Sequence, residues 1–290
     1  MYLYNGKVKR YKPDIAEQKY KDKRANSKRN YRCLECVEFL NYVVEMFNKK
    51  GWSLDASVGY AQKNNLFSTD EMVCTKTLYN YVDLGILPIK NIDLPEKLKR
   101  NTKSSSTRKN RKILGKSIEE RPETVNLREE FGHWEIDSVL GKKKDTEPAI
   151  MTIVERKTRM SLWIKIKDHS SMAIDEALQS LINRFGTKKS EVFKSITGDN
   201  GSEFANLSNI ENNGISMYFT HPYTSCEKGT NECHNKMLRR FIPKGKSIDD
   251  YSAEDILFFS DTINGLPRKI LNYHTPEEMF DNQLDRIYAT

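Results

Sequence analysis

Ser195-Ile-Thr-Gly-Asp-Asn-Gly-Ser-Glu-Phe204 reads as a short buried strand running into a glycine-bracketed turn. Val192, Phe193 and Ile196 supply the apolar lead-in, and Gly198 and Gly201 flank Asp199 with residues that let the backbone pass close to a ligand. Asp199 is therefore expected at the carboxyl end of a strand, where a carboxylate suits a hard metal ion or general-base chemistry. An Asp-Asn-Gly turn after a strand is also ordinary turn chemistry, so the reading depends on its surroundings.

Upstream, Trp134–Leu140, Ala149–Val154 and Met160–Ile166 are three β-rich runs with short connections, which predicts an antiparallel meander. Ser171 can cap a following helix, with Ile174, Ala177/Leu178, Leu181/Ile182 and Phe185 as its apolar stripe. The 192–197 strand comes next, then Ile215–Phe219, then helices over about Asn231–Phe241 and Ser252–Ile263. The order βββαβ followed by a strand and helices predicts an α/β, ribonuclease-H-like mixed sheet with helices on its faces.

In that order Asp137 lies within the first strand and Asp199 at the end of the fourth, its neighbour. Glu232 opens the helix after Lys228-Gly-Thr-Asn231, where its first turn can bring in a third carboxylate. Helical spacing puts Glu232, Lys236 and Arg239 on one side and Cys233, Met237 and Phe241 on another, expected to be the core side. Three such acids need cations to stay ionised together, and oxygen-only ligands select Mg²⁺ or Mn²⁺. Two ions would serve phosphoryl transfer, with Lys236 and Arg239 holding DNA phosphates. Glu203, four residues after Asp199, is a rival ligand, a support for one or simply an exposed turn residue, with Glu232 the preferred ligand, and Asn200 could orient a carboxylate or a phosphate as readily as it could simply make the turn.

Charge separates the chain into unlike parts. Residues 1–126 hold 26 Lys+Arg against 15 Asp+Glu, and residues 127–290 hold 22 against 25, which fits a basic nucleic-acid-binding region joined to a mildly acidic one that carries the carboxylates. Residues 7–32 read as a basic arm or short helices. Three short helices follow, over Cys36–Phe47, from Asp55 through Ala61, and one announced by Ser68-x-x-Glu71 or by Thr75 as its N-cap. They suggest either a plain bundle or a small helix-turn-helix-like DNA-binding region with Lys76 and Thr77 exposed. The expected division is 1–98 helical and basic, 99–126 a basic linker in which Arg108 and Arg111 track DNA, and 127–290 the catalytic core.

The five cysteines are odd in number and scattered, which excludes a disulfide scaffold and points to a reduced cytosolic setting. Cys33-x-x-Cys36 lacks a second ligand pair, and a zinc cluster of His221, Cys226, Cys233 and His234 matches no common spacing, so core thiols are expected instead. No apolar run approaches a membrane span, and the N-terminus lacks a signal-peptide core.

His133-Trp-Glu-Ile-Asp137, Thr197-Gly-Asp-Asn-Gly-Ser-Glu-Phe204, His221-Pro-Tyr223, Gly229-Thr-Asn-Glu232 and Pro267-Arg-Lys-Ile-Leu-Asn272 with Thr275-Pro276 together resemble the DDE transposases of bacterial insertion sequences, the IS-thirty group. The resemblance implies an integrase catalytic core with Asp137, Asp199 and Glu232 as its acid triad. It further implies two Mg²⁺ or Mn²⁺ ions, cleavage at insertion-sequence ends and transfer of a 3′-OH to target DNA. Its partners would be terminal inverted repeats, target DNA and further copies of the chain, in the bacterial cytoplasm beside the nucleoid. Two departures are visible. The segment from Met1-Tyr-Leu-Tyr has no counterpart to the family's further N-terminal helix-turn-helix. Cys226 and Lys228 replace an expected Trp and Arg; Lys228 is still expected to contact DNA, although Lys lacks the bidentate grip of Arg on phosphate. A non-enzymatic DNA-binding remnant and a structure-selective nuclease on the same core are the other readings of these features.

Overall fold

The structure is a computed structural model that describes residues 11–27, 31–95, 114–142, 147–221 and 225–289. Arg108 and Arg111 lie outside them, as does most of the expected linker.

Helix α1 (Pro13–Asn26) starts on a proline at its first turn and buries none of its residues. Helices α2 (Val37–Lys50), α3 (Leu54–Lys63) and α4 (Thr75–Asp83) close on their own apolar cluster, which includes Phe39, Val43, Leu54, Val58, Leu78 and Val82. Ser68 and Glu71 do form a capping box, but it caps only the turn Thr69–Glu71; α4 begins at Thr75 with Cys74 at its cap. Lys76 is exposed on α4 and Thr77 is half-buried.

After the short helix α5 (Thr124–Leu127), β1 (His133–Leu140), β2 (Ala149–Glu155) and β3 (Ser161–Ile166) form the meander. Helix α6 (Ser171–Asn183) is capped by Ser170, one residue earlier than the pattern suggested. The run from Val192 is not all strand: Val192 ends a one-turn helix, α7 (Lys189–Val192), and β4 is Ser195–Gly198. β5 (Ser216–Phe219) completes the sheet, and α8 (Gly229–Phe241), α9 (Ala253–Asn264) and α10 (Pro276–Tyr288) follow.

The five strands lie in the order β3-β2-β1-β4-β5, with β1 antiparallel to β2 and parallel to β4. This is the ribonuclease-H-like mixed sheet. Strand alternation divides β1 between two cores. Trp134 and Ile136 pack with Ile174, Leu178 and Ile182 of α6, whereas Val139 packs with Leu238 of α8 and Ile256 and Ile263 of α9. Glu135 and Asp137 share Val139's parity and therefore face α8. Trp134 is a packing residue: it is fully buried, stacks on Phe193 and donates its indole N–H to Val192 O.

Of the 99–126 segment, the described part runs along the sheet edge. Phe219 N–H donates to Lys116 O, Leu114 N–H donates to the Asn200 side chain, and buried Arg121 donates to Thr197 Oγ1 at 3.0 Å. The helical region meets the core at Gly59 of α3, where the Tyr273 ring occupies the space a Cβ would need. Tyr273 and Asn272 both adopt positive φ to place that ring.

Candidate active site

β1 and β4 are paired in parallel with His133 opposite Ser195 and Glu135 opposite Thr197. The same offset carried past the end of β4 sets Asp199 beside Asp137. The two carboxylates are joined by one cation. Lys228 Nζ lies 3.3 Å from Asp137 Oδ1 and 3.0 Å from Asp199 Oδ2, and it donates to Ile136 O at 3.2 Å. Its side chain is only 7% exposed. Lys228, expected to contact DNA, is thus buried against the two acids.

Asp137 is held from other directions as well. Asn235 Nδ2 donates to its Oδ2 at 2.8 Å, and Ser138 N–H donates to Oδ1 at 3.0 Å. Burial raises the pKa of Asp137, with Asp199's charge adding to it and Lys228 opposing. Asp199 is more open and accepts the Gly201 N–H at 2.9 Å, a turn that fixes its carboxylate at the strand end.

Helix α8 is anchored beneath these acids by Asn231. Its backbone N–H donates to Glu135 Oε2 at 2.9 Å and its side-chain amide donates to Glu135 O at 3.1 Å. Thr152 Oγ1 lies 3.0 Å from both Asn231 Oδ1 and Asn235 Oδ1. Thr152, Asn231 and Asn235 were missed by sequence reasoning as positioning residues; the only sequence signal for them was their alignment with Asp137 on the strand pairing and the helical repeat.

Glu232 is not gathered with the two aspartates. It occupies the α8 stripe that includes Asn235 and Arg239, but its carboxylate is half-exposed and pairs with Lys236 at 2.9 Å. Arg239 Nη2 donates to Leu140 O at 2.7 Å and is partly buried, which lowers its pKa. The fully buried residues of α8 are Thr230, Asn231, His234 and Leu238; of the expected core side, Met237 and Phe241 are half-buried and pack against the same cluster as Leu238, whereas Cys233 is exposed.

Glu203 sits beside Asp137 through Ser138, which lies 3.3 Å from Glu203 Oε1 and 2.7 Å from His169 Nε2. Burial works to raise Glu203's pKa, but its hydrogen bonds with His169, its own backbone and Ser138 outweigh this and lower it. His169 is raised in turn by that bond and by the charges of Glu203, Asp199 and Asp137, against burial. Asn200 clamps Leu114 N–H and Thr220 O, so it tethers the incoming chain and the β5 end.

The donor set fits a hard divalent cation: two aspartates on adjacent parallel strands already share one positive charge, with oxygen donors only. Among the described residues no three His, Cys, Asp or Glu side chains converge as a metal cluster. Of the zinc candidates, His234 has both ring nitrogens engaged and Cys233 is exposed. His234 is buried, with Nδ1 at 2.8 Å from Thr230 O and Nε2 at 3.0 Å from Arg268 Nη1.

His234 has a consequence for pH. Burial first, and Arg268 second, push its pKa down from 6.5 to about 3. The unfolded chain takes this proton first, so the contribution to stability is whole above pH 6.5 and falls as pH drops toward the folded value. Wild-type protein is expected to lose about 2 kcal/mol more than His234→Gln between pH 8 and pH 5. Urea midpoints of both proteins at the two pH values check this, and equal losses would remove His234 as the cause.

The Integrase core domain family matches residues 128–225. A probable transposase for the insertion-like sequence element IS1161 of Streptococcus salivarius is 44% identical over 207 residues, covering 71% of this chain and 58% of that protein. The transposase InsI for insertion sequence element IS30A of Escherichia coli K12 is 32% identical over 170 residues, 58% of this chain and 43% of that protein. The catalytic core domain of BIV integrase is 19% identical, with a TM-score of 0.40 over 54% of this chain and 97% of that one. The chain spans about half the length of the curated relatives it matches. The chain thus carries an integrase core domain and is similar to the insertion-sequence transposases of IS1161 and IS30A.

Proposed function

We propose that this chain is a metal-dependent DNA transposase, which cleaves at insertion-sequence ends and transfers the resulting 3′-OH to target DNA. The observation that carries this reading is the pair Asp137 and Asp199, set side by side by the parallel β1–β4 register and sharing a single cation. Asp137 and Asp199 would hold Mg²⁺ or Mn²⁺, with Glu232 of the same α8 stripe joining them by turning its carboxylate from Lys236. Two bound ions would supply Lewis-acid stabilisation of the attacking and leaving oxygens at the scissile phosphate.

The chain's own residues do the rest. Asn231 and Asn235 fix α8 against β1, and Asn235 orients Asp137. Ser138, His169 and Glu203 border the same carboxylate, so Glu203 serves as a support beside the pair. Lys236 and Arg239 on α8, with Lys76 and Thr77 on α4 and the basic 99–126 segment, including Arg108 and Arg111, are the groups proposed to contact DNA. DNA ends, target DNA and further copies of the chain are the proposed partners, in the bacterial cytoplasm beside the nucleoid. No helix among the described residues is long and apolar enough to cross a membrane.

The test is a strand-transfer assay on oligonucleotides carrying the ends of the flanking element. Mg²⁺- or Mn²⁺-dependent nicking followed by joining to a second duplex is the expected result. Salt-sensitive binding without either step would reject the enzyme in favour of a DNA-binding remnant, and cutting without joining would favour a nuclease.

A further inference from the structure

We propose that Lys228 is an internal stand-in for the divalent ion, holding Asp137 and Asp199 together before metal arrives and leaving when metal enters. The inference rests on reading these two aspartates as metal ligands, and it adds a device that controls their loading.

Three observations support it. First, the ammonium is satisfied inside the site: Asp137 Oδ1, Asp199 Oδ2 and Ile136 O, at 3.3, 3.0 and 3.2 Å, provide one acceptor for each of its three N–H groups. Second, the local charge favours exchange. Two carboxylates and one ammonium sum to −1, so replacing the ammonium by a first divalent ion brings the group to −2 + 2, or neutrality, in a partly dry environment where residual charge is costly. Third, Lys228 has a way out. It occupies the N-cap of α8 with non-helical φ and ψ, and the next residue, Gly229, has open space where a side chain would stand. The backbone that carries Lys228 can therefore rotate without dislodging Asn231, whose bonds to Glu135 hold the first turn of α8.

Two consequences follow. Without metal, the acids keep their spacing because Lys228 bridges them, and they do not repel each other apart. On loading, a buried ion-pair partner becomes a cation at the rim of the site, next to the position where DNA phosphate must lie. This gives the Lys at 228 a task suited to its compact, flexible ammonium; a planar guanidinium fork would fill the space between the acids differently.

The experiment is amine acetylation of the full-length wild-type protein with and without Mn²⁺, read residue by residue by peptide mass spectrometry. Calorimetric titration of Mn²⁺ is run on the same sample. Lys228 is expected to be protected without metal and several-fold more reactive with it, while exposed Lys76 stays unchanged. Mn²⁺ binding with no change at Lys228 overturns the stand-in role alone; absence of Mn²⁺ binding overturns the ligand assignment and this proposal with it. Lys228→Met gives an independent reading. If folded, it is expected to bind Mn²⁺ about tenfold more tightly because the competing cation is gone, and unchanged affinity overturns the proposal. If that variant does not fold, the wild-type acetylation result decides.

Discussion

Asp199→Asn is expected to abolish metal-dependent cleavage of element ends while leaving DNA affinity within about twofold. The amide keeps the size of the carboxylate and can still accept the Gly201 N–H through its oxygen, so the turn after β4 survives. What it loses is the charge that shares a cation with Asp137. The proposed metal-assisted phosphoryl transfer would draw several kcal/mol of transition-state stabilisation from a divalent ion held by both carboxylates, so cleavage should fall about 10³-fold or more. Asp199 is a cleaner choice than Asp137. Asp137 also accepts from Asn235 and Ser138, and altering it would disturb α8 together with the chemistry. Gel-based cleavage and filter binding on the same oligonucleotide separate the two effects; cleavage retained within tenfold of wild type would reject the site.

The strands could be read from sequence because each presents an alternating or continuous apolar run to a core that covers both faces of the sheet. Asp137 and Asp199 followed from them, since parallel pairing of neighbouring strands leaves little freedom in where two such residues meet. The inward face of α8 could not be read the same way. Two of its buried residues, Asn231 and His234, are polar, so the hydrophobic pattern pointed to Cys233, Met237 and Phe241. Their burial is permitted by partners from β1, β2 and the Arg159 region, more than 70 residues away in sequence. The burial of Lys228 was illegible for a related reason: a lysine before a helix is ordinarily solvated, and only the convergence of two distant aspartates makes burial favourable. Val192 and Phe193 show a local limit, because one turn of helix and the start of a strand present the same apolar pair. Helix α10 left a clear local signal that was not used, a Thr275–Glu278 capping box with Pro276 in its first turn.

Glu135→Ala is expected to be the most damaging single change to stability in the core, although Glu135 is not proposed to touch metal or DNA. Glu135 is fully buried, paired with Arg156 at 2.5 Å, and accepts the Asn231 N–H that seats α8. Removing it leaves the Arg156 guanidinium charged and buried, with Nε already lacking a partner. Breaking a buried pair from one side costs about 3–5 kcal/mol, which for a chain of this size corresponds to a Tm lower by roughly 10 °C. Arg156→Met in the same chain should recover part of that loss, because no charge then remains uncompensated. Recovery should stay incomplete, since the Asn231 N–H still lacks its acceptor. Thermal denaturation of wild type, both single variants and the double variant measures this coupling. Strict additivity would mean that Glu135 and Arg156 do not act as a pair, leaving the Asn231 N–H as the Glu135 contact whose loss destabilises the core.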